Sequence, residues 1–201
     1  MLASGRRAVQ AWGMRGYFGI GVEGISKAMN LGNLFRSAHA FGASFVFTVD
    51  AEYRRLAGLA DTSTTPENLP LYQFPDAAAL TLPERCKLVG IELLDEAEVL
   101  PSFRHPRCAA YVFGPERGSL SPAMVARCDH LARIPTGFCI NLASAGAVVM
   151  YDRALNLGRF AERPLVPGGK PGALPEHVFG AVRRRGKKAG KRGKNDGARP
   201  S

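Results

Sequence analysis

Cysteine is scarce in this chain and badly spaced for metal. Cys86, Cys108, Cys128 and Cys139 are separated by 22, 20 and 11 positions, so no Cys-x-x-Cys pair exists to hold zinc, and no metal site is expected. The first residues lack an apolar stretch long enough for a secretion signal, which leaves a disulfide framework unsupported; four reduced, mostly buried thiols are expected. Missing too is any run of about 18 apolar residues, the minimum for a membrane-spanning helix. The expectation is a soluble, cytoplasmic protein without membrane contact. Acidic residues are few, 17 against 27 basic ones, and a net charge of +10 points to a polyanionic partner.

What is present is enough apolar residue, 46% of 201, for the core of one ordinary domain with a short extension left over. The charge is unevenly spread. Between Ala181 and Ser201 nine basic residues face only Asp196, so this segment carries +8 and the rest of the chain +2. A Gly/Lys/Arg segment of that kind cannot build a core and is expected to be disordered until bound. The expected organisation is a folded domain over 1–162, a Pro/Gly-rich linker over 163–180 and the basic tail over 181–201.

Apolar stretches rich in β-formers predict strands at Tyr17–Val22, Ser44–Val49, Leu69–Phe74, Lys87–Leu93, Ala109–Phe113 and His130–Ile134. Helices are predicted between several of them. One runs over Leu31–Phe41, where Leu34, Ala38 and Phe41 recur at helical spacing and Gly42 offers a stop. Asp76–Leu82 is a further candidate, and Ser121-Pro122 signals the start of another that continues through Ala123–Cys128. The last spans Ile140–Arg159, with Ala143, Ala147, Met150, Ala154 and Leu157 on one stripe that Ala145, Val148 and Val149 widen. Alternation of strand and helix predicts an α/β domain with a mainly parallel sheet.

Three segments stand out chemically. Asn30-Leu31-Gly32-Asn33-Leu34-Phe35-Arg36 opens the first helix: Asn30 can cap it, and Arg36 offers a planar guanidinium suited to a phosphate or a developing oxyanion. The bland alternative is a capped helix bearing one solvated arginine. In Phe113-Gly114-Pro115-Glu116-Arg117-Gly118-Ser119-Leu120-Ser121, two glycines bracket Glu116 in a tight loop at the carboxyl end of a strand, where open α/β sheets bind ligands. The third runs from Ile134 to Ala145 as strand, loop and apolar helix. Asn141 is its odd residue: a buried amide needs partners, and helix capping is the alternative reading.

Taken in order, Asn-x-Gly-Asn-x-x-Arg, Phe-Gly-Pro-Glu-x-x-Gly-x-Ser and Ile-Pro…Asn before an apolar helix resemble the three motifs of the SpoU/TrmH branch of the SPOUT methyltransferases, over about Tyr17 to Arg159. The resemblance implies an α/β fold, helices on both faces of the sheet, a carboxyl-terminal deep trefoil knot, and a homodimer formed through the knot region. It implies S-adenosylmethionine-dependent methylation of a ribose 2′-hydroxyl in tRNA or rRNA. It places the catalytic group on Arg36, Asn30, Glu116 and Asn141, and cofactor contacts on Ile91, Glu92, Gly114, Ile134, Cys139 and Ile140. The third motif departs from the family's usual Ser-Leu-Asn-Val-Ser, reading Cys139-Ile140-Asn141-Leu142-Ala143, which forfeits side-chain hydrogen bonds from two hydroxyls. Only about 16 residues precede the first strand, which favours tRNA over rRNA, since several rRNA enzymes of the family carry an amino-terminal RNA-binding domain. His39, one turn after Arg36, is read as a packing or surface residue. A non-catalytic RNA-binding protein keeping the fold is the rival class. A Rossmann-type enzyme ranks low, because no Gly-x-Gly-x-x-Gly turn follows a predicted strand.

Overall fold

Apolar runs flanked by turn residues form four strands buried on both faces, and three shorter, more exposed strands complete one seven-stranded sheet. The computed structural model describes residues 16–24, 28–51, 69–115, 118–158, 160–161 and 163–173. The strands are β1 (Tyr17–Glu23), β2 (Phe45–Val49), β3 (Leu71–Phe74), β4 (Lys87–Ile91), β5 (Glu98–Val99), β6 (Cys108–Phe113) and β7 (His130–Arg133). They lie in the order β3-β2-β1-β6-β4-β7-β5, and every pairing is parallel. Three α-helices are described: α1 (Ala28–Ala40), α2 (Pro122–Arg127) and α3 (Leu142–Leu157). None is long and apolar enough to cross a membrane.

Strand alternation sorts the core into two layers. Phe18, Ile20, Val22, Val89, Ala109 and Tyr111 face α1 and α3, which contribute Leu31, Leu34, Phe35, Val149 and Met150. Phe45, Phe47, Leu88 and Val112 face the other way, onto Met124 of α2 and Leu80. The sheet is thus covered on both faces. Gly146 lets the two helices of the first layer close up: a Cβ there would lie 2.1 Å from Cδ1 of Leu34.

Several boundaries differ from expectation, each for a local reason. α1 starts at Ala28, so Asn30 lies inside the first turn and is not the cap. The helix ends as predicted around Gly42, whose φ is +77°; Gly42 N donates to His39 O and Ala43 N to Ala38 O, closing the last turn. Asp76–Leu82 is a turn and not a helix. There Asp76 Oδ1 accepts from Ala79 N, while the Arg127 guanidinium takes the carbonyls of Ala77, Ala78 and Leu80, the first two of which a helix over this segment would have used. α2 begins as read, with Ser121 Oγ accepting from Met124 N and Pro122 in the first turn. α3 starts two residues later than expected, at Leu142, and its buried stripe is rotated to Leu142, Gly146, Val149, Met150, Arg153 and Ala154. The cysteines are free but not mostly buried: Cys86, Cys108 and Cys128 are half-buried and Cys139 is exposed.

Contacts divide the chain into two units, Met1–Phe160 and Ala161–Ser201. The second holds no helix or strand among its described residues, and the tail from 174 onward lies outside the described residues, as do 1–15.

At the amino-terminal ends of β1 and β6 a polar circuit is buried beneath α3. Arg153 Nη1 donates to the Tyr111 hydroxyl at 3.1 Å; that oxygen and His105 Nδ1 are 2.6 Å apart, and His105 Nε2 and Asp152 Oδ2 are 2.9 Å apart. One assignment satisfies all of them: the phenol donates to Nδ1, and neutral His105 donates through Nε2 to Asp152. Burial pushes the Tyr111 phenol up to about 12, so its proton stays available. Burial likewise holds His105 below its ordinary 6.5, outweighing the pull of Asp152. Protonating Nδ1 would turn two donors onto one phenolic oxygen and strand the phenol's own proton. The unfolded chain takes up that proton near 6.5 and the folded chain only lower, so the stability is complete above 6.5 and is lost as pH falls below it. Between about pH 7 and pH 5, the thermal midpoint of the protein should therefore fall more steeply than that of His105→Asn. Equal slopes would rule the circuit out as a source of the acid sensitivity.

Candidate functional site

The carboxyl ends of the central strands open into a solvent-facing cleft. β4 contributes Ile91, followed by Glu92 and Leu93; β6 contributes Phe113, followed by Gly114 and Pro115; Ile134 follows β7. Thr136, Cys139 and Ile140 from the next loop, with Leu142 and Ala145 from the first turn of α3, form the opposite wall. This is the end of a parallel sheet where ligands are usually bound. All six residues assigned cofactor contacts, Ile91, Glu92, Gly114, Ile134, Cys139 and Ile140, lie in this lining.

Two carboxylates brace the segment that follows the glycine loop, Glu92 from the cleft lining and Glu23 from the end of β1, and neither role is read from the sequence. Glu92 Oε1 accepts from Leu93 N at 2.9 Å and Oε2 from Leu120 N at 2.8 Å. Glu23, only 8% exposed, ends β1. Its Oε1 accepts from Ser121 Oγ at 2.6 Å and its Oε2 from Ser121 N at 2.7 Å, so the cap of α2 is tied to β1. The signal was there to be read: an acidic residue closing an otherwise apolar strand needs buried donors. Gly114 must be glycine for this packing, since a Cβ would lie 2.9 Å from Leu120 N and 3.3 Å from Glu92 Oε2.

Asn141 is exposed and not a buried amide, which corrects the premise on which it was singled out. It caps α3, its Oδ1 accepting from Ala143 N at 2.9 Å and Ser144 N at 3.4 Å, and it donates through Nδ2 to Asn30 Oδ1 at 3.1 Å. The first and third motifs therefore meet at the starts of α1 and α3. Glu116 and Arg117 lie outside the described residues. Arg36 is exposed and is not part of the cleft lining. It follows Asn30 by six residues, which on an α-helix is about 240° around the axis and about 9 Å along it. The core-facing residues of α1 are Leu31, Leu34, Phe35 and Ala38, so Arg36 projects from the outer face. His39 is exposed in the last turn of the same helix.

The solved structure of the SpoU methyltransferase AviRb from Streptomyces viridochromogenes in complex with AdoMet matches with a TM-score of 0.59 at 20% identity, over 72% of this chain and 60% of that one. The A. aeolicus TrmH/SpoU tRNA modifying enzyme gives 0.60 at 15% identity, over 73% and 79%. An AdoMet-bound rRNA methyltransferase from Sinorhizobium meliloti gives 0.59 at 19% identity, over 72% and 58%. The chain thus spans about three fifths of the length of AviRb, and at these identities the likeness establishes the fold. No curated protein matches the chain. Residues 18–151, two thirds of the sequence and all three motif segments, match the SpoU rRNA Methylase family, to which the chain therefore belongs.

Proposed function

We propose that the chain is an S-adenosylmethionine-dependent methyltransferase acting on a ribose 2′-hydroxyl of tRNA or rRNA in the cytoplasm. The observation that carries this reading is the convergence of segments far apart in sequence, around residues 91, 114, 134 and 139, on one cleft at the carboxyl ends of the strands. Support comes from family membership and from the AdoMet held by the AviRb and S. meliloti structures.

The residues present suit that cofactor. The cleft is open and lined largely by apolar side chains and loop backbone, the kind of surface on which a small cofactor is held. Ile91, Ile134 and Ile140 offer apolar walls, and backbone around Gly114 and Cys139 can approach closely. Two of the roughly four lone-pair positions of the Glu92 carboxylate are taken by amides, which leaves others for hydroxyls or a cationic group. The cofactor supplies a methyl group on a sulfonium. The chain has to bring a ribose oxygen in line with it and stabilise the negative charge that develops there. Arg36 is the group proposed for that charge, and for the adjoining phosphate; Asn30 and Glu116 of the copy whose cleft it enters are proposed to orient it. Asn141 holds the cleft wall to α1 through Asn30. An arginine acting as a literal base is disfavoured, because its pKa exceeds about 12.

Since Arg36 projects from the outer face of α1, the same reading includes a homodimer that brings it to the cleft of a second copy. Val148, Tyr151 and Leu155, exposed by 41%, 55% and 39% along the outside of α3, are the proposed contact. The deep trefoil knot is proposed for the path of the chain through the loops that build the cleft, and the basic tail for sequence-independent RNA affinity.

Mass-spectrometric mapping of 2′-O-methyl sites in total RNA, from cells with and without the gene, tests the proposal and identifies the RNA. At least one site should vanish without the gene and return on incubating that RNA with the purified protein and S-adenosylmethionine. An identical methylation map in both cells, with no transfer in vitro, overturns it.

A further inference from the structure

Phe138 is the least expected side chain at the cleft. It is 78% exposed, more than any other large apolar residue described in the first unit, where Met29 at 66% comes next. It stands between Thr136 and Cys139, both of which line the cleft. Open space surrounds the loop at this point: a Cβ on Gly137 would meet nothing within 4 Å. Yet the loop is anchored. Thr136 N donates to Ile134 O at 2.8 Å, and three residues beyond the ring Asn141 caps α3 and binds Asn30. Met29, next in exposure, precedes Asn30 on α1. An aromatic ring held out to solvent by a tethered loop, at the rim of a ligand cleft, is positioned to meet something flat.

We infer that Phe138 is the platform on which the base of the target nucleotide stacks. The inference rests on the proposed ribose methylation and narrows its substrate to an unpaired nucleotide whose base is splayed from its neighbours. The base hangs from the ribose carbon next to the one bearing the reacting hydroxyl, so a ribose delivered to the rim brings its base to the rim as well. In an A-form duplex that base would be stacked between neighbours and out of reach; in a loop or bulge it is free to pack on an aromatic face. Stacking of this kind reads every base through its π-face, so Phe138 fixes the position of the nucleotide and leaves its identity to other contacts.

The test uses the full chain and the RNA identified by mapping. Replacement Phe138→Leu keeps an apolar side chain and removes the π-face. For this variant kcat/KM for RNA should fall about tenfold or more, with S-adenosylmethionine affinity and sedimentation coefficient unchanged, and Phe138→Trp should restore the wild-type value. On an RNA whose target nucleotide keeps its ribose but lacks its base, wild type and Phe138→Leu should perform alike. Unchanged kcat/KM in Phe138→Leu overturns the inference while the methyl transfer of the wild type still stands. A shift of Phe138→Leu to a slower-sedimenting species also overturns it, by showing that the ring packs against a second copy. Failure of the wild type to methylate any RNA removes the underlying reading, and this inference with it.

Discussion

Arg36→Ala will reduce methyl transfer at least about a thousandfold while leaving cofactor affinity intact. The size follows from what the guanidinium is proposed to do. A charged donor aimed at a developing oxyanion is commonly worth ~100- to 1,000-fold in kcat, and its loss as a phosphate clamp adds misplacement of the ribose. Cofactor affinity is untouched because Arg36 is exposed on the outer face of α1 and forms no part of the cleft lining. Cys139 provides the readout, being exposed and in that lining: S-adenosylmethionine should slow its alkylation equally in wild type and Arg36→Ala. Arg36→Lys should recover little, since a point charge does not reproduce the planar fork. Turnover near wild type in Arg36→Ala would remove this residue from the chemistry.

The outward placement of Arg36 also makes a subunit-mixing result predictable. A Gly114→Val variant should be inactive for a different reason, the side chain being driven into Leu120 N and Glu92 Oε2. Mixed and refolded with Arg36→Ala, it should give back about a quarter of wild-type activity, because half the dimers are mixed and each mixed dimer joins one intact cleft to one intact Arg36. If the guanidinium served its own subunit, no mixed dimer would hold a complete site.

Sequence pattern carried the fold class, and the family resemblance named six residues that line one cleft. Strands buried on both faces write themselves as continuous apolar runs, which is why β1, β2, β4 and β6 are legible within a residue or two; β3 and β7 are as well placed by their flanking turns, and Glu98–Val99 is too short to leave a pattern. Turn chemistry was equally legible at Gly42 and at Ser121-Pro122. Where the reading failed, a distant residue had intervened. Nothing local in Asp76–Leu82 reveals that Arg127 will claim its carbonyls. The stripe of α3 was drawn through alanines, but the residue that turns inward is Arg153, because carbonyls from β1 and from the segment before β6 wait beneath it. Asn141 was noticed for a burial it does not have and turns out to matter for the contact it makes with Asn30.

That inward arginine underlies the largest expected stability effect. Arg153 is 1% exposed. Its guanidinium donates to Pro106 O at 2.6 Å, Arg107 O at 2.7 Å and Tyr17 O at 3.2 Å, besides the Tyr111 hydroxyl, and it lies 5.1 Å from the centre of the Phe18 ring. Arg153→Met keeps length and apolar volume but leaves three carbonyls without these donors, at about 1–3 kcal/mol for each that water cannot reach. Relaxation at the sheet end will recover part, so a net loss of about 3–5 kcal/mol is expected, or roughly 10 °C in thermal midpoint for a domain of this size. Arg153→Lys should be nearly as damaging, since one ammonium cannot span the same acceptors. The damage should spare the chemistry: Tyr17 and Arg107 sit at the amino-terminal ends of their strands, whereas the cleft opens at the carboxyl ends. Well below its lowered midpoint, Arg153→Met should therefore bind S-adenosylmethionine and methylate RNA at close to the wild-type rate per folded molecule. A midpoint within about 2 °C of wild type would show that the sheet end closes without its guanidinium, and that water or a shifted Tyr111 satisfies those carbonyls instead.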